Sequence, residues 1–370
     1  MRLCYLANAQ SIHTHKWTRF FVERGHDVHV ISFEDARIEG ATVHVLKLPI
    51  LVRNATFALK IFSIFRIRTL IKRLDPDVLH AHYVTNYGLF GALCGFHPFV
   101  LTAWGSDVLF GTSGRLISMI KKYIAIYVLR HADLMTCDAA HMKEAMKRLG
   151  VPSGKIAIIY FGIDTRKFAP RQKNERLQAK LAVLRAPTVV SLRNLEALYD
   201  VETLIRAVPL VIKEVPRTRF VIAGKGSEER NLMGLARDLG VSGNVSFIGF
   251  IPNDELPQYL ATMDVYVSTS TSDAGIAAST AEAMACGLPV IVTDVADNRK
   301  WVEDGMNGFV IPIKDPKILA EKIVYLLKDE GRRKEFGKRN REIIEQRNDY
   351  YKEMEKMEKI YEGLAKGRKK

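Results

Sequence analysis

Short apolar runs alternate with helical stretches along almost the whole chain, and this alternation restricts the fold more than any other feature. In the first half the strand pattern falls at residues 2–7, 27–32, 43–48, 78–80, 99–103, 134–137 and 156–160, with helical stretches between several of them. A second series follows at 188–192, 220–223, 245–247, 265–268, 289–292 and 308–312, with helices at 201–215 and 278–286. Strands alternating with helices of this length predict parallel sheets built from βαβ crossovers. Residues 162–185 are polar with little periodicity and read as a linker. The chain ends in a highly charged helical stretch from 316 to about 363, and its tail at 366–370 reads as frayed. At roughly 150 residues per domain, 370 residues make two domains, each able to bury its own core. Two doubly wound domains in tandem put a ligand cleft at the carboxyl ends of the strands, between the domains.

Composition removes several alternatives. With 26% charged and 48% hydrophobic residues the chain is neither disordered, collagen-like nor a coiled coil. The cysteines, Cys4, Cys94, Cys137 and Cys286, are far apart and form no C-x2-C pair, which argues against a disulfide framework or a zinc site. No His/Cys/Asp/Glu cluster has metal-ligand spacing. Met1–Arg2 runs straight into a strand pattern without a signal-peptide core, so the expectation is a cytoplasmic, reduced protein. Between Asp77 and Asp107 there is no Asp, Glu, Lys or Arg, but His80, His82, Asn86, His97, Pro98 and several glycines are costly in lipid. A strand, a helix and another strand fit that stretch better than a membrane span.

The formal net charge of +14 is uneven: residues 1–170 hold 22 Lys and Arg against 12 Asp and Glu. Much of the excess lies in two acid-free segments, 51–73 and 115–130. Basic surfaces of this kind point to phosphates, anionic lipid or nucleic acid. On a helical wheel Arg115, Ser118, Lys121 and Lys122 share one face of the second segment, and Leu116, Ile120, Ile124 and Tyr127 another. Such a helix either lies on anionic lipid or packs its apolar face inside and exposes its charges. No stacking platform or DNA-binding motif accompanies the charge, so nucleic acid is not expected as a partner. Neither Gly224-Lys225-Gly226 nor the glycines at 88 and 91 complete a G-x-G-x-x-G turn, which weakens a dinucleotide-dependent dehydrogenase reading.

The sequence resembles the retaining, nucleotide-sugar-dependent glycosyltransferases of family 4 (glycosyl group 1 transferases), which have the GT-B fold. The segments that carry the resemblance include PDVLHAHY (76–83), LTAWGSDV (101–108), KIAIIYFGIDTRKFAP (155–170), NVSFIGFIPNDELPQYLATMDVYV (244–267), AEAMACGLPVIVTD (281–294) and EDGMNGFVIP (303–312). The resemblance implies an α/β protein with two Rossmann-like domains facing a central cleft. Residues 1–165 would bind the acceptor, 166–350 the nucleotide-sugar donor, and a last helix at 351–370 would cross back to the first domain. It implies metal-independent transfer, without a cofactor, of a hexose from a UDP- or GDP-linked sugar to a lipid-linked, glycan or small-molecule acceptor, with retention of configuration. A lipid-linked acceptor would suit the basic segments 51–73 and 115–130 as peripheral contacts with an anionic membrane, at its cytoplasmic face.

Transfer from such a donor requires stabilisation of a diphosphate leaving group by cations and helix N-terminal amides. By resemblance Gly275, Ile276 and Ala277 lead into a helix whose amides face the diphosphate. Glu282 is the second glutamate of the family's Glu-x7-Glu motif, accepting from ribose hydroxyls; Arg193 begins a diphosphate clamp, and backbone groups near Gly249–Ile251 serve the base. Three departures stand out. Ala274 occupies the place of the first motif glutamate, leaving Asp273 to serve the donor-sugar hydroxyls if the loop bulges. Tyr199 stands where the clamp lysine is expected, and Lys225 either substitutes for it or is a solvated loop lysine. Trp104 replaces a histidine of the T-x-H-G-x-D segment and cannot carry its proton. On the acceptor side the resemblance points to Gln10, Ser11, His13, His82, Trp104 and Asp107. His13 is alternatively a helix-start residue, and His80, inside its strand, reads as buried structure. The catalytic candidates are Arg193, Glu282 and Asp273. The departures keep a second reading open, a non-catalytic or altered-specificity relative that binds a nucleotide or a glycan.

Overall fold

The computed structural model describes residues 1–46, 63–105, 107–108, 115–273 and 275–368, the side chains of 115–118 excepted. Most of the 51–73 segment and Ala274 therefore lie outside the described residues. The chain divides into two compact units, one of residues 1–161 with 351–370 and one of residues 162–350.

The first unit is built on a parallel sheet of β1 (Arg2–Leu6), β2 (Asp27–Ser32), β3 (Thr42–Val45), β4 (Val78–His82), β5 (Phe99–Thr102), β6 (Leu134–Cys137) and β7 (Ile156–Ile158). The order is β3-β2-β1-β4-β5-β6-β7, so the winding reverses between β1 and β4, where Leu6 lies beside Ala81. Helices cover the sheet, and strands buried in this way read as apolar runs rather than alternating ones. Leu3, Cys4, Tyr5 and Leu6 are all buried, as is every residue of β4. The charge-free stretch forms β4, a π-turn at Tyr83–Tyr87, the Gly88–Cys94 helix and β5. Among the described residues no helix is long and apolar enough to cross a membrane.

The second unit repeats the plan with β8 (Thr188–Ser191), β9 (Arg219–Ala223), β10 (Val245–Gly249), β11 (Val265–Ser268), β12 (Val290–Thr293) and β13 (Gly308–Ile311), in the order β10-β9-β8-β11-β12-β13. Its reversal falls between β8 and β11. A separate apolar core, with Val189, Leu204, Phe220, Ile291 and Phe336 fully buried, holds this unit together.

Three expectations are corrected. Residues 162–185 are not a plain linker: they contain the Glu175–Lys180 helix, capped by Asn174, and bury Phe168 and Val183 in the second unit. Few apolar residues suffice there because each is anchored, which hides the segment from a periodicity search. The last helix, Tyr350–Arg368, does not fray from 366: Arg368 donates to the carboxylate of Asp75 and the carbonyl of Pro76. In the Arg115–His131 helix the inward residues are Ala125, Val128 and Leu129, whereas Ile120 and Tyr127, placed together on the apolar face by the wheel, are exposed. The helix docks through its second half, where Val128 comes so close to Gly88 that an added Cβ there would stand 3.2 Å from it. Met119, Ile120 and Tyr123 are left outward beside Lys121 and Lys122.

Candidate functional site

In open parallel sheets ligands bind beyond the carboxyl ends of the strands where the winding reverses. The first reversal, between β1 and β4, is lined by rings. The chain leaves β1 and enters the Ile12–Glu23 helix, capped by the Ser11 hydroxyl accepting from the His13 amide at 3.3 Å. Spacing of three and four places Thr14, Trp17, Thr18 and Phe21 on the buried side of this helix. His82 ends β4, and Trp104 follows β5 by two residues. His13 stacks on Trp104 with ring centres 4.2 Å apart, while His82 stands 5.2 Å from Trp17 and 5.6 Å from Trp104.

Burial keeps these imidazoles neutral. It pushes His13 down to about 4, with Lys16 adding to the effect, and His82 down to about 3, with His13 adding. Both ring nitrogens of His82, Nδ1 of His13 and Nε1 of Trp17 are buried without a hydrogen-bond partner. A buried unpaired group costs about 1–3 kcal/mol, so this cluster is unsatisfied as it stands. His80, two strand residues inward, is by contrast fully used: its Nε2 pairs with the Thr102 hydroxyl at 2.7 Å and its Nδ1 with the Tyr361 hydroxyl. Asp107 is also occupied, accepting from the amides of Val84 at 2.8 Å and Trp104 at 3.0 Å. It fixes the Trp104 loop. Gln10 is exposed and donates to the Asp35 carbonyl at 3.1 Å. Of the acceptor-side candidates the structure brings His13, His82 and Trp104 into one cluster, while Gln10, Ser11 and Asp107 are engaged with backbone. Trp17, one turn beyond His13, belongs to the cluster and was not singled out from the sequence, where it reads as helix core.

The second reversal, between β8 and β11, is lined by charge. Arg193 follows β8 and Asp273 follows β11; because these strands are neighbours, the two side chains meet. Arg193 Nη2 donates to Asp273 Oδ1 at 2.5 Å, and each side chain is about nine-tenths buried, at 9% and 10% exposure. The guanidinium lies over the Tyr199 ring, 4.4 Å from its centre, so the residue in the expected lysine place braces the arginine by a cation–π contact. Burial pushes the Asp273 carboxyl up, against the pull of Arg193. Gly224 lets β9 close on this loop: its φ is +148°, and a Cβ would fall 2.4 Å from the Arg193 carbonyl. The Lys225 side chain is exposed and runs past Gly249, where a Cβ would stand 3.8 Å from its Cε. Ile251 is buried.

The Ala278–Ala285 helix starts without a side-chain cap, since its N-cap residue is Ala277. Its first-turn amides thus carry the positive end of the helix dipole. Tyr266, buried in β11, ties this helix end to the strand: its hydroxyl pairs with Ser279 at 2.9 Å and accepts from Thr280 at 3.2 Å. A tyrosine inside an apolar strand signals such a partner, because its hydroxyl is costly to bury unpaired. Gly275 and Ile276 are half-buried before the helix, and Glu282, also half-buried, lies one turn along the face that begins with Ala278. Gly337 brings the Glu330–Arg347 helix onto the far end, where a Cβ would collide with the Gly287 carbonyl at 1.9 Å.

Two all-parallel, doubly wound units of this kind define a nucleotide-binding class of α/β proteins, and solved structures narrow it. The fold is that of the GT-B proteins: HepE of Anabaena, crystallised in complex with UDP, superposes with a TM-score of 0.81 at 20% identity, over 98% of this chain and 100% of that one. The family model for glycosyl transferases group 1 matches residues 172–343, and that for glycosyl transferase 4-like proteins residues 2–139. The chain belongs to the group 1 glycosyl transferases. Relatives include the putative glycosyltransferase EpsD of Bacillus subtilis, 26% identical over 90% of this chain and 91% of that protein. A GDP-mannose-dependent alpha-(1-6)-phosphatidylinositol monomannoside mannosyltransferase of Mycobacterium tuberculosis is 27% identical over 75% of this chain and 74% of that protein.

Proposed function

We propose that the protein moves a hexose from a UDP- or GDP-linked sugar to an acceptor hydroxyl on a lipid-linked, glycan or small-molecule substrate, with retention and without a metal ion. The observation that carries this reading is Arg193 at the second sheet reversal, on the same strand pair as the uncapped start of the Ala278–Ala285 helix. As the bond from the anomeric carbon to the diphosphate oxygen breaks, Arg193, Lys225 and the helix amides supply positive charge to the leaving oxygens. Glu282 accepts from ribose hydroxyls, and Gly249 and Ile251 present backbone to the base.

With no carboxylate placed as a nucleophile among the described residues, the acceptor oxygen attacks from the face the phosphate leaves. The new bond forms at the anomeric carbon while the acceptor proton passes to the departing phosphate oxygen. The protein then contributes orientation and charge stabilisation. The neutral ring cluster of His13, His82, Trp17 and Trp104 is the acceptor's side, offering flat faces and unpaired nitrogens to a hydroxyl-rich ligand. The name of the mycobacterial relative contains both a nucleotide sugar and a lipid acceptor. Membrane contact at the cytoplasmic face fits the outward Met119, Ile120 and Tyr123 beside Lys121 and Lys122.

A thermal-shift panel of nucleoside diphosphates, followed by mass spectrometry of products formed from the stabilising donor, tests this reading. Stabilisation by UDP or GDP and transfer that persists in a chelator are expected. No stabilisation by any nucleotide overturns it, and stabilisation without turnover of any donor selects the non-catalytic reading. Absence of flotation with phosphatidylglycerol vesicles removes the membrane contact.

A further inference from the structure

We propose that Asp273 holds the diphosphate's place on Arg193 in the empty protein and is passed to a donor-sugar hydroxyl when the diphosphate arrives. The inference rests on the donor-site reading above and adds a selectivity device to it.

The pair is incomplete in a specific way. An arginine and a carboxylate at this distance normally share two parallel bonds. Here a single bond joins Nη2 to Oδ1, while Arg193 Nε and Asp273 Oδ2 are both buried without a partner. Two buried groups thus stay unpaired, a donor on the guanidinium and an acceptor on the carboxylate, each out of reach of water. Among the described residues neither has an alternative opposite charge in contact: Arg193 has the Tyr199 ring on its face, and Asp273 has Ser270 and Arg193 around it. Burial already weighs against the charged form of Asp273.

A diphosphate changes this balance. It carries more negative charge than a carboxylate and offers several oxygens to the guanidinium fork, so it satisfies both Nε and Nη2. Asp273 then loses its only cation and is left as a buried acceptor. A nucleotide sugar brings sugar hydroxyls that can occupy it; a nucleoside diphosphate has only its ribose hydroxyls, which the donor-site reading assigns to Glu282. The exchange thus favours the intact donor over the product nucleotide that remains after transfer. Asp273 is a specificity-determining residue in this account. It also explains why an acid one residue from the motif position, and one methylene shorter than glutamate, is tolerated: from there it reaches Arg193.

Calorimetric titration of the purified chain with UDP, UDP-glucose, GDP and GDP-mannose tests the exchange, comparing the native chain with Asp273→Ala, Asp273→Asn and Arg193→Ala. The expected result is a gain: both Asp273 variants bind the nucleoside diphosphate more tightly than the native protein, by roughly tenfold, the scale of one charge-assisted bond. The native preference for the nucleotide sugar over its nucleoside diphosphate collapses towards unity in both. A residue that merely supports the fold does not tighten binding when removed. Weaker or unchanged nucleoside diphosphate binding in both Asp273 variants, with binding still lost in Arg193→Ala, overturns the exchange and leaves the donor site standing. Unchanged nucleotide affinity in Arg193→Ala overturns the donor-site reading and the exchange with it.

Discussion

At the strand reversal of the first unit the buried polar groups are neutral rings without partners, whereas at the same point of the second they are a carboxylate and a guanidinium held together. The topology is shared, so the difference comes from the few residues placed just past the strand ends. His82 closes β4 and Trp104 follows β5 in one unit; Arg193 and Asp273 follow β8 and β11 in the other. The lesson is that the sheet sets where chemistry occurs and the first residues beyond it set which chemistry. A neutral crevice suits a hydroxyl-bearing ligand, and a charged one an anion.

The largest expected effect separates the two regions by acid. His80 and His82 have folded pKa values below their ordinary value, so between pH 6.5 and about 3 the unfolded chain binds more protons at His82. His82 alone removes about 1.4 kcal/mol of stability per pH unit as pH falls through that window, and His80 acts in the same direction. Asp273 acts in the opposite sense: its folded pKa is raised, so protonation relieves a penalty as pH falls. The first unit is therefore expected to lose structure before the second. Of the three tryptophans, Trp17 and Trp104 lie in the first unit and Trp301 in the second. Acid titration of fluorescence in Trp301→Phe, against the double variant Trp17→Phe/Trp104→Phe, reads them separately; coincident transitions would break the comparison.

Next in size is Arg193→Ala, for which a loss of about 10²–10³-fold in kcat/KM is expected, the scale of a removed transition-state anion contact. Steady-state kinetics with the donor identified by thermal shift measure it. Trp104→Ala should raise the acceptor KM about tenfold while nucleotide affinity is unchanged, since it removes the ring on which His13 stacks. A matching loss of nucleotide binding would blur the assignment of one role to each unit. The smallest effect is Tyr361→Phe. It leaves His80 Nδ1 without its partner and should cost about 1 kcal/mol in urea denaturation, with little change in either substrate's affinity.

Much of the architecture was legible because parallel strands buried on both faces leave uninterrupted apolar runs, as at Leu3–Leu6 in β1, Phe220–Ala223 in β9 and Val290–Val292 in β12. The Glu229–Asp238 helix escaped notice because only Leu232 and Ala236 are buried on it, and the Leu256–Ala261 helix because six residues are too few to show a helical period. At the site, motif positions brought out Arg193, Asp273, His82 and Trp104. They could not show the engagement of Asp107 with two amides or the seat of Arg193 on Tyr199. Those facts depend on where loops turn after the strand, and Trp104 opens a loop whose Gly105 has a φ of +109°. Tyr199 was read from sequence as a missing cation; in space it supports the cation that remains.

The Tyr350–Arg368 helix adds a constraint of a different kind. It lays Tyr361 against Tyr5 and His80, fully buried, and pairs Glu358 with Arg24 and His26. Residues 5 and 361 thus meet in one core, with the entire second unit between them in the order of translation. When the first 161 residues have been made, the surface of Tyr5 and His80 that Tyr361 covers is open, and it stays open until the second unit has been made and residue 361 follows. A nascent chain of this protein must carry that opening through the synthesis of a whole domain. Truncation before residue 350 would therefore harm the part of the protein that was made first.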